Sequence, residues 1–245
     1  MTEVNSTTTG RIEIEATDGS GGFRAYIVTP KDAAAKHAPV GAVVVIQEIF
    51  GINDAMRATC HELAEMGYIA LCPDLFWRIE PGVDITDKSK AEWDKAFALM
   101  NAFDQDKGIE DLQATVAAAR KLPGCNGRVA TVGFCLGGRL AVMMATRSDA
   151  DLNVSYYGVA LDKLVSEFAG IRHKLLIHMA ENDEFANQAA RMAVLAGAKD
   201  KPEIETHVYP AVQHAFARVN GVHYDRRAAT IANGRTAEAL VAALG

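Results

Sequence analysis

The chain has 245 residues, 49% hydrophobic and 23% charged, a composition that excludes wholesale disorder and fits a single α/β domain. Its 25 basic and 31 acidic residues leave a net charge of −6, so there is no basic footprint for a nucleic acid or an anionic membrane. No apolar run reaches the roughly 18–20 residues of a membrane helix, and Cys60, Cys72, Cys125 and Cys135 are too few for a disulfide scaffold, which points to a reducing, cytoplasmic setting.

Residues 1–10 are polar, lack the basic and apolar pattern of a secretory leader, and read as a flexible N-terminus before one domain over residues 11–245. Ile12, Ile14, Ala16 and then Phe23, Ala25, Ile27 alternate around Asp18-Gly19-Ser20-Gly21-Gly22, which predicts a β-hairpin. Ala42–Ile46 is continuously apolar and β-branched, as in a strand covered on both faces. Asn53 or Asp54 then caps a helix through Met56, Cys60 and Leu63 that Gly67 ends.

The alternation continues with strands at Tyr68–Cys72, Arg128–Phe134, Val154–Tyr157, Leu175–Met179 and Ile204–Tyr209. Between and after them come helices at Ala91–Phe103, Ile109–Leu122, Leu136–Arg147, Asp162–Phe168, Phe185–Ala198 and Tyr224–Leu244. Strands joined by helices of this length need crossovers, hence an α/β fold with a mostly parallel sheet and helices on both faces. Ile79–Lys90 is the longest irregular stretch and a candidate active-site loop.

The sharpest motif is Gly133-Phe134-Cys135-Leu136-Gly137-Gly138, between an apolar strand and a helix. A nucleophile elbow has this form: a strained turn lifts the nucleophile above the sheet edge, and glycines two residues either side relieve crowding. The helix N-terminus aims a positive dipole end at Cys135, and the Leu136 amide can donate to an oxyanion. The alternative is a structural cysteine in a glycine-rich turn; Cys60, Cys72 and Cys125 receive no chemistry.

His214 follows the last strand, and Ala180-Glu181-Asn182-Asp183-Glu184 follows the strand before it. Both loops leave the sheet edge that carries the elbow, where open α/β sheets bind ligands. Cys135, His214 and Asp183 are therefore nucleophile, base and orienting carboxylate, with Glu181 or Glu184 as alternatives to Asp183.

Together with the elbow, Gln47-Glu48-Ile49-Phe50-Gly51, Pro73-Asp74-Leu75-Phe76-Trp77-Arg78, Tyr156-Tyr157-Gly158, Asn182-Asp183-Glu184-Phe185 and His214-Ala215-Phe216-Ala217-Arg218 resemble the dienelactone hydrolase family, the carboxymethylenebutenolidases. The likeness runs in matching order from about Gly22 onward. It implies the α/β-hydrolase fold and a cofactor-free and metal-free opening of a small carboxylated enol-lactone, of the dienelactone to maleylacetate type, through a thioester. It further implies Glu48 as partner of the resting thiol, Ile49 and Leu136 amides as the oxyanion hole, and Arg78 and Arg218 as anchors for a substrate carboxylate. The expected partner is thus a small carboxylated lactone or ester, for a monomer or small homo-oligomer. A broader esterase or thioesterase, and a non-catalytic ligand-binding or redox-sensing relative, are the alternatives.

Overall fold

The computed structural model describes residues 7–31 and 39–245. Thr7–Glu15 (β1) and Gly22–Pro30 (β2) form the expected hairpin, and β2 pairs antiparallel with Ile69–Pro73 (β4). Val40–Ile46 (β3), Cys125–Phe134 (β5), Leu152–Tyr156 (β6), Lys174–Ala180 (β7) and Ile204–Tyr209 (β8) run parallel with β4 in the order β1-β2-β4-β3-β5-β6-β7-β8. Thr7–Gly10, expected to be flexible, is instead strand, paired with Ile27–Pro30; residues 1–6 lie outside the described residues.

The apolar β3 run is explained by what lies on each side. Ala42, Val44 and Ile46 face a core that includes Leu112, Val116, Leu140 and Val194, from Gln105–Arg120 (α3), Leu136–Arg147 (α4) and Gln188–Ala198 (α5). Val43 and Val45 face Met56, Cys60, Ala232 and Leu240, from Asp54–Glu65 (α1) and Arg226–Leu244 (α6). Both faces of β3 are therefore dry, which suits a central parallel strand. Among the described residues, no helix is long and apolar enough to cross a membrane.

Local chemistry sets the boundaries. Asn53 caps α1 by accepting from the Met56 amide at 3.3 Å. The expected helix from Phe185 begins only at Gln188, because Asn187 caps it by accepting from the Ala190 amide at 3.0 Å. That leaves Phe185 in the loop. The segment read as a short helix near Asp162 is 3₁₀ over Leu161–Gly170, and Lys90–Ala102 (α2) lies close to its expected span.

A buried polar chain crosses the far end of the sheet. Arg235 can only donate, so the Tyr209 hydroxyl accepts from it at 3.0 Å and turns its own hydrogen to His178 Nδ1, 2.8 Å away. His178 Nε2 then donates to Thr236 Oγ1 at 3.0 Å, and the Tyr156 hydroxyl donates to Asn233 Oδ1, also at 3.0 Å. Protonated, His178 would lose its acceptor nitrogen. Burial first, and the positive charges of His207 and Arg235 after it, pull its pKa down to about 3.

Unfolded, His178 takes up a proton near its ordinary 6.5; folded, it does so only near 3. Its contribution to stability is therefore intact above 6.5 and is lost as pH falls through that window. From roughly pH 7 to pH 5, denaturant titrations should show about 2 kcal/mol more loss for the native chain than for His178→Gln. Identical pH slopes in the two proteins would remove His178 from the acid response.

Candidate active site

The elbow closes because three backbone segments meet at it without side chains between them. Cys135 has φ 54 and ψ −113, a strained conformation for a residue with a Cβ. A Cβ on Gly133 would overlap the Gly137 carbonyl, and one on Gly137 would overlap the carbonyls of Ile46 and Gln47. The Cys135 amide donates to the Tyr156 carbonyl at 3.1 Å, tying the bend to β6. Only 6% exposed, Cys135 lines a cavity of about 230 Å³ together with His214, Ile49 and Arg218.

The loops after β7 and β8 are laced together, which fixes the histidine. Asn182 donates to the Val212 carbonyl at 2.9 Å and Glu181 to that of Tyr209 at 3.0 Å. Of the three acidic candidates, Glu181 is exposed and accepts from the Ala211 amide at 2.8 Å, and Glu184 is also exposed. Asp183 is the one brought to His214, with its carboxylate oxygens 2.8 and 3.0 Å from Nδ1. A carboxylate accepts, so Nδ1 carries the hydrogen and Nε2 is left for chemistry.

Nε2 is buried and has no hydrogen-bond partner. The ring is held edge-on by Tyr157 and Phe185, at centroid distances of 5.1 and 4.8 Å. Burial pulls the His214 pKa down, but the charge of an anionic Cys135 and the Asp183 hydrogen bond outweigh it and raise it to about 10.

Glu48 and Arg218 come together, but differently from expectation. Glu48 accepts from Arg218 Nε at 2.6 Å and from Nη2 at 3.0 Å, so the carboxylate reaches the guanidinium rather than the thiol. Arg218 Nη1 donates to Asp87 at 2.6 Å, and the Phe50 ring covers one guanidinium face at 4.9 Å. Burial works against the Arg218 charge, yet Glu48 and Asp87 hold its pKa above its ordinary value.

Arg78 is not at this cavity. Its Nε and Nη2 donate to Asp111 at 3.1 and 2.7 Å, its Nη1 donates to Asp18 at 3.1 Å, and it stacks over Trp77. Expected as an anchor for a substrate carboxylate, Arg78 here joins the hairpin to α3 through Asp18 and Asp111.

Sequence reasoning missed Asp87 and the aromatic wall. Residues 79–89 form a pinned strap rather than a free loop. Gly51, at φ 75, lets Val83 approach where a Cβ would overlap its carbonyl, and Ile85 donates to the Phe50 carbonyl at 3.1 Å. On that strap Asp87 holds Arg218 by its carboxylate and the Trp93 indole by its carbonyl, at 2.9 Å. Trp93, Phe97 and Met100 line the cavity from α2. Their helical spacing marks an apolar face, which a sequence reader assigns to core. Among the described residues, no group of three or more His, Cys, Asp or Glu side chains could hold a metal ion.

Comparison with known proteins follows this geometry. A model described as the dienelactone hydrolase family matches residues 23–244. A protein of Azospirillum brasilense, provisionally named a carboxymethylenebutenolidase, is 51% identical over 92% of this chain and 95% of its own. Carboxymethylenebutenolidase 1 of Cupriavidus pinatubonensis is 40% identical over 93% of this chain and 95% of its own. A crystal structure from Klebsiella pneumoniae, provisionally named a dienelactone hydrolase, superposes with a TM-score of 0.85 at 23% identity, covering 97% of this chain and 99% of that one, a likeness of fold.

The buried Glu48–Arg218–Asp87 cluster is testable by stability. Arg218→Met leaves two carboxylates without their cation and should cost about 3–5 kcal/mol in urea unfolding. Adding Asp87→Asn should recover part of that loss. A cost under about 1 kcal/mol, the range of an exposed pair, would contradict the burial of these charges.

Proposed function

Because the chain belongs to the dienelactone hydrolase family and is a carboxylic ester hydrolase, we propose that it opens dienelactone-type lactones with Cys135 as nucleophile, through a thioester. One observation carries this reading: His214, held by Asp183 at Nδ1, has its other ring nitrogen unpartnered at a cavity that Cys135 also lines. The name shared by the curated relatives supports the lactone class.

In the proposed cycle the anionic sulfur forms a bond to the lactone carbonyl carbon, and the carbonyl oxygen takes up the negative charge. The Leu136 amide, first in α4 and so without an intrahelical acceptor, and the Ile49 amide at the cavity wall donate to that oxygen. Losing one such donor typically costs about 2.7–4 kcal/mol of barrier. Collapse breaks the acyl carbon–oxygen bond of the ring, and the leaving enolate takes the proton of His214. Water then gives a proton to His214 and adds to the thioester; the sulfur leaves as anion, and the acid is released.

Charge makes the two halves cooperate. While the sulfur is anionic it holds His214 protonated, ready to act as acid. Acylation removes that negative charge, and burial then draws His214 towards the neutral form needed to accept a proton from water. Glu48 serves here as partner of Arg218; the thiol-partner role would require Arg218 to release a carboxylate it holds by two hydrogen bonds.

Cys135→Ala should abolish turnover without unfolding, and retained turnover would remove sulfur from the mechanism. With His214→Ala, intact-mass spectrometry should find one acyl adduct per chain, located at Cys135, because the enolate can leave and take its proton from solvent whereas hydrolysis of the thioester has lost its base. The acylation rate in rapid mixing should stay level until about pH 10, where the imidazolium is lost, and fall above it. Release should instead rise with pH through a lower apparent pKa; coincident profiles for the two steps would refute the charge coupling.

A further inference from the structure

The wall around Cys135 bears on which nucleophile ends the proposed cycle. It consists largely of Phe50, Trp93, Phe97, Met100 and Phe185. The rings brace one another, with Phe50 and Trp93 edge to face at 5.0 Å and Trp93 and Phe97 at 5.4 Å. The Trp93 N–H is spent on the Asp87 carbonyl, 2.9 Å away, so what the indole offers the cavity is apolar ring. Besides Cys135, His214 and Arg218, every side chain lining the cavity among the described residues is hydrocarbon, aromatic or thioether. An apolar cavity of about 150 Å³ accommodates benzene. This one, at about 230 Å³, takes a ring-opened six-carbon acyl group and leaves the volume of about two or three waters, enough for the carbon chain of a short alcohol.

Release of the acyl group requires a hydroxyl at His214 Nε2, the ring nitrogen left without a partner when Asp183 takes Nδ1. The Tyr157 and Phe185 rings flank that imidazole at centroid distances of 5.1 and 4.8 Å. A water seated there gives one hydrogen bond to Nε2 and turns its other polar sites towards rings and a thioether, so it forfeits bonds that it makes in bulk solvent. A short primary alcohol makes the same bond through its O–H and sets its alkyl chain against the wall. Each methylene taken out of water favours its entry by up to about fourfold.

We propose that the chain is also an acyltransferase, passing the acyl group of its thioester to short primary alcohols in competition with water. The proposal rests on Cys135 as the nucleophile and concerns only the second half of the cycle. Neutral His214 takes the proton of the alcohol O–H at Nε2 while the alcohol oxygen forms a bond to the thioester carbon. Collapse breaks the carbon–sulfur bond, the sulfur leaves as an anion, and His214 keeps the proton for the next ring opening. The product is the ring-opened monoester instead of the acid. Lactone and alcohol together contain every atom of that product, so no other reactant is needed. Methanol, ethanol and 1-propanol are the acceptor class.

The test incubates the protein with the dienelactone 4-carboxymethylenebut-2-en-4-olide in buffer containing methanol, ethanol or 1-propanol at one molar concentration. Free acid and monoester are measured at initial rates by liquid chromatography with mass detection. The ester-to-acid ratio, corrected for the molar amounts of alcohol and water and for the reaction without protein, should favour 1-propanol over water by about tenfold or more. It should rise by about threefold to fourfold per methylene along the series. Met100→Gln keeps the length of a wall side chain and adds an amide that can hold water, and should lower the 1-propanol ratio by about threefold. Because ester and acid arise from one intermediate, that ratio does not depend on how much thioester the variant forms. Ring opening that yields acid alone, a ratio flat along the series, or a ratio unmoved by Met100→Gln would overturn the acyl transfer. Mass spectrometry of the His214→Ala variant separates the two levels: an adduct on Cys135 with no ester from the native protein sinks only the transfer, whereas no adduct sinks the nucleophile as well.

Discussion

Everything at the working edge of this molecule depends on one tight bend in the chain. Cys135 is held at a backbone geometry that a residue with a Cβ rarely tolerates. It persists because β3, β5, β6 and the first turn of α4 press on the bend from all sides, through contacts that only glycine at 133 and 137 permits. The sheet supplies the packing that keeps the sulfur where it is. In return, the bend lets α4 start at Leu136, directly after Cys135, so the positive end of the helix lies next to the sulfur.

Parallel topology does the remaining assembly. Strands β3, β5, β7 and β8 all end on the same side, and the segments that follow them carry Glu48 and Ile49, Cys135, Asp183, and His214 to one edge of the sheet. This much was legible in the sequence, because strand–loop–helix order and the glycine spacing of the elbow are local patterns with physical causes. Chain order pointed to the acidic loop and left Glu181 and Glu184 beside Asp183 as candidates; the geometry separates them, since the lacing of the two loops turns Glu181 outward to the Ala211 amide.

What the sequence did not disclose is how the charges are shared out. Arg78 and Arg218 look equivalent as letters in the sequence, yet one is matched by Asp111 and Asp18 on the hairpin side and the other by Glu48 and Asp87 at the cavity. Which carboxylate meets which guanidinium is a property of the folded chain, and no periodicity reports it. The aromatic face of α2 was legible as apolar, but an apolar stripe looks the same whether it packs against protein or borders an empty space. Helix starts were misplaced where a side-chain cap overrode the apolar pattern, as Asn187 does after Phe185.

The clamp on Arg218 also bears on how this chain comes to be active. Its two ion pairs join residues 131 and 170 positions apart, on segments that meet only through the intervening strands. Closing loops of that size is entropically unfavourable until the sheet has already brought the ends together. The clamp is therefore among the last features to form as the polypeptide matures, well after the local turn of the elbow. A chain emerging from synthesis would carry Cys135 for some time before the buried charges that border its cavity are in place.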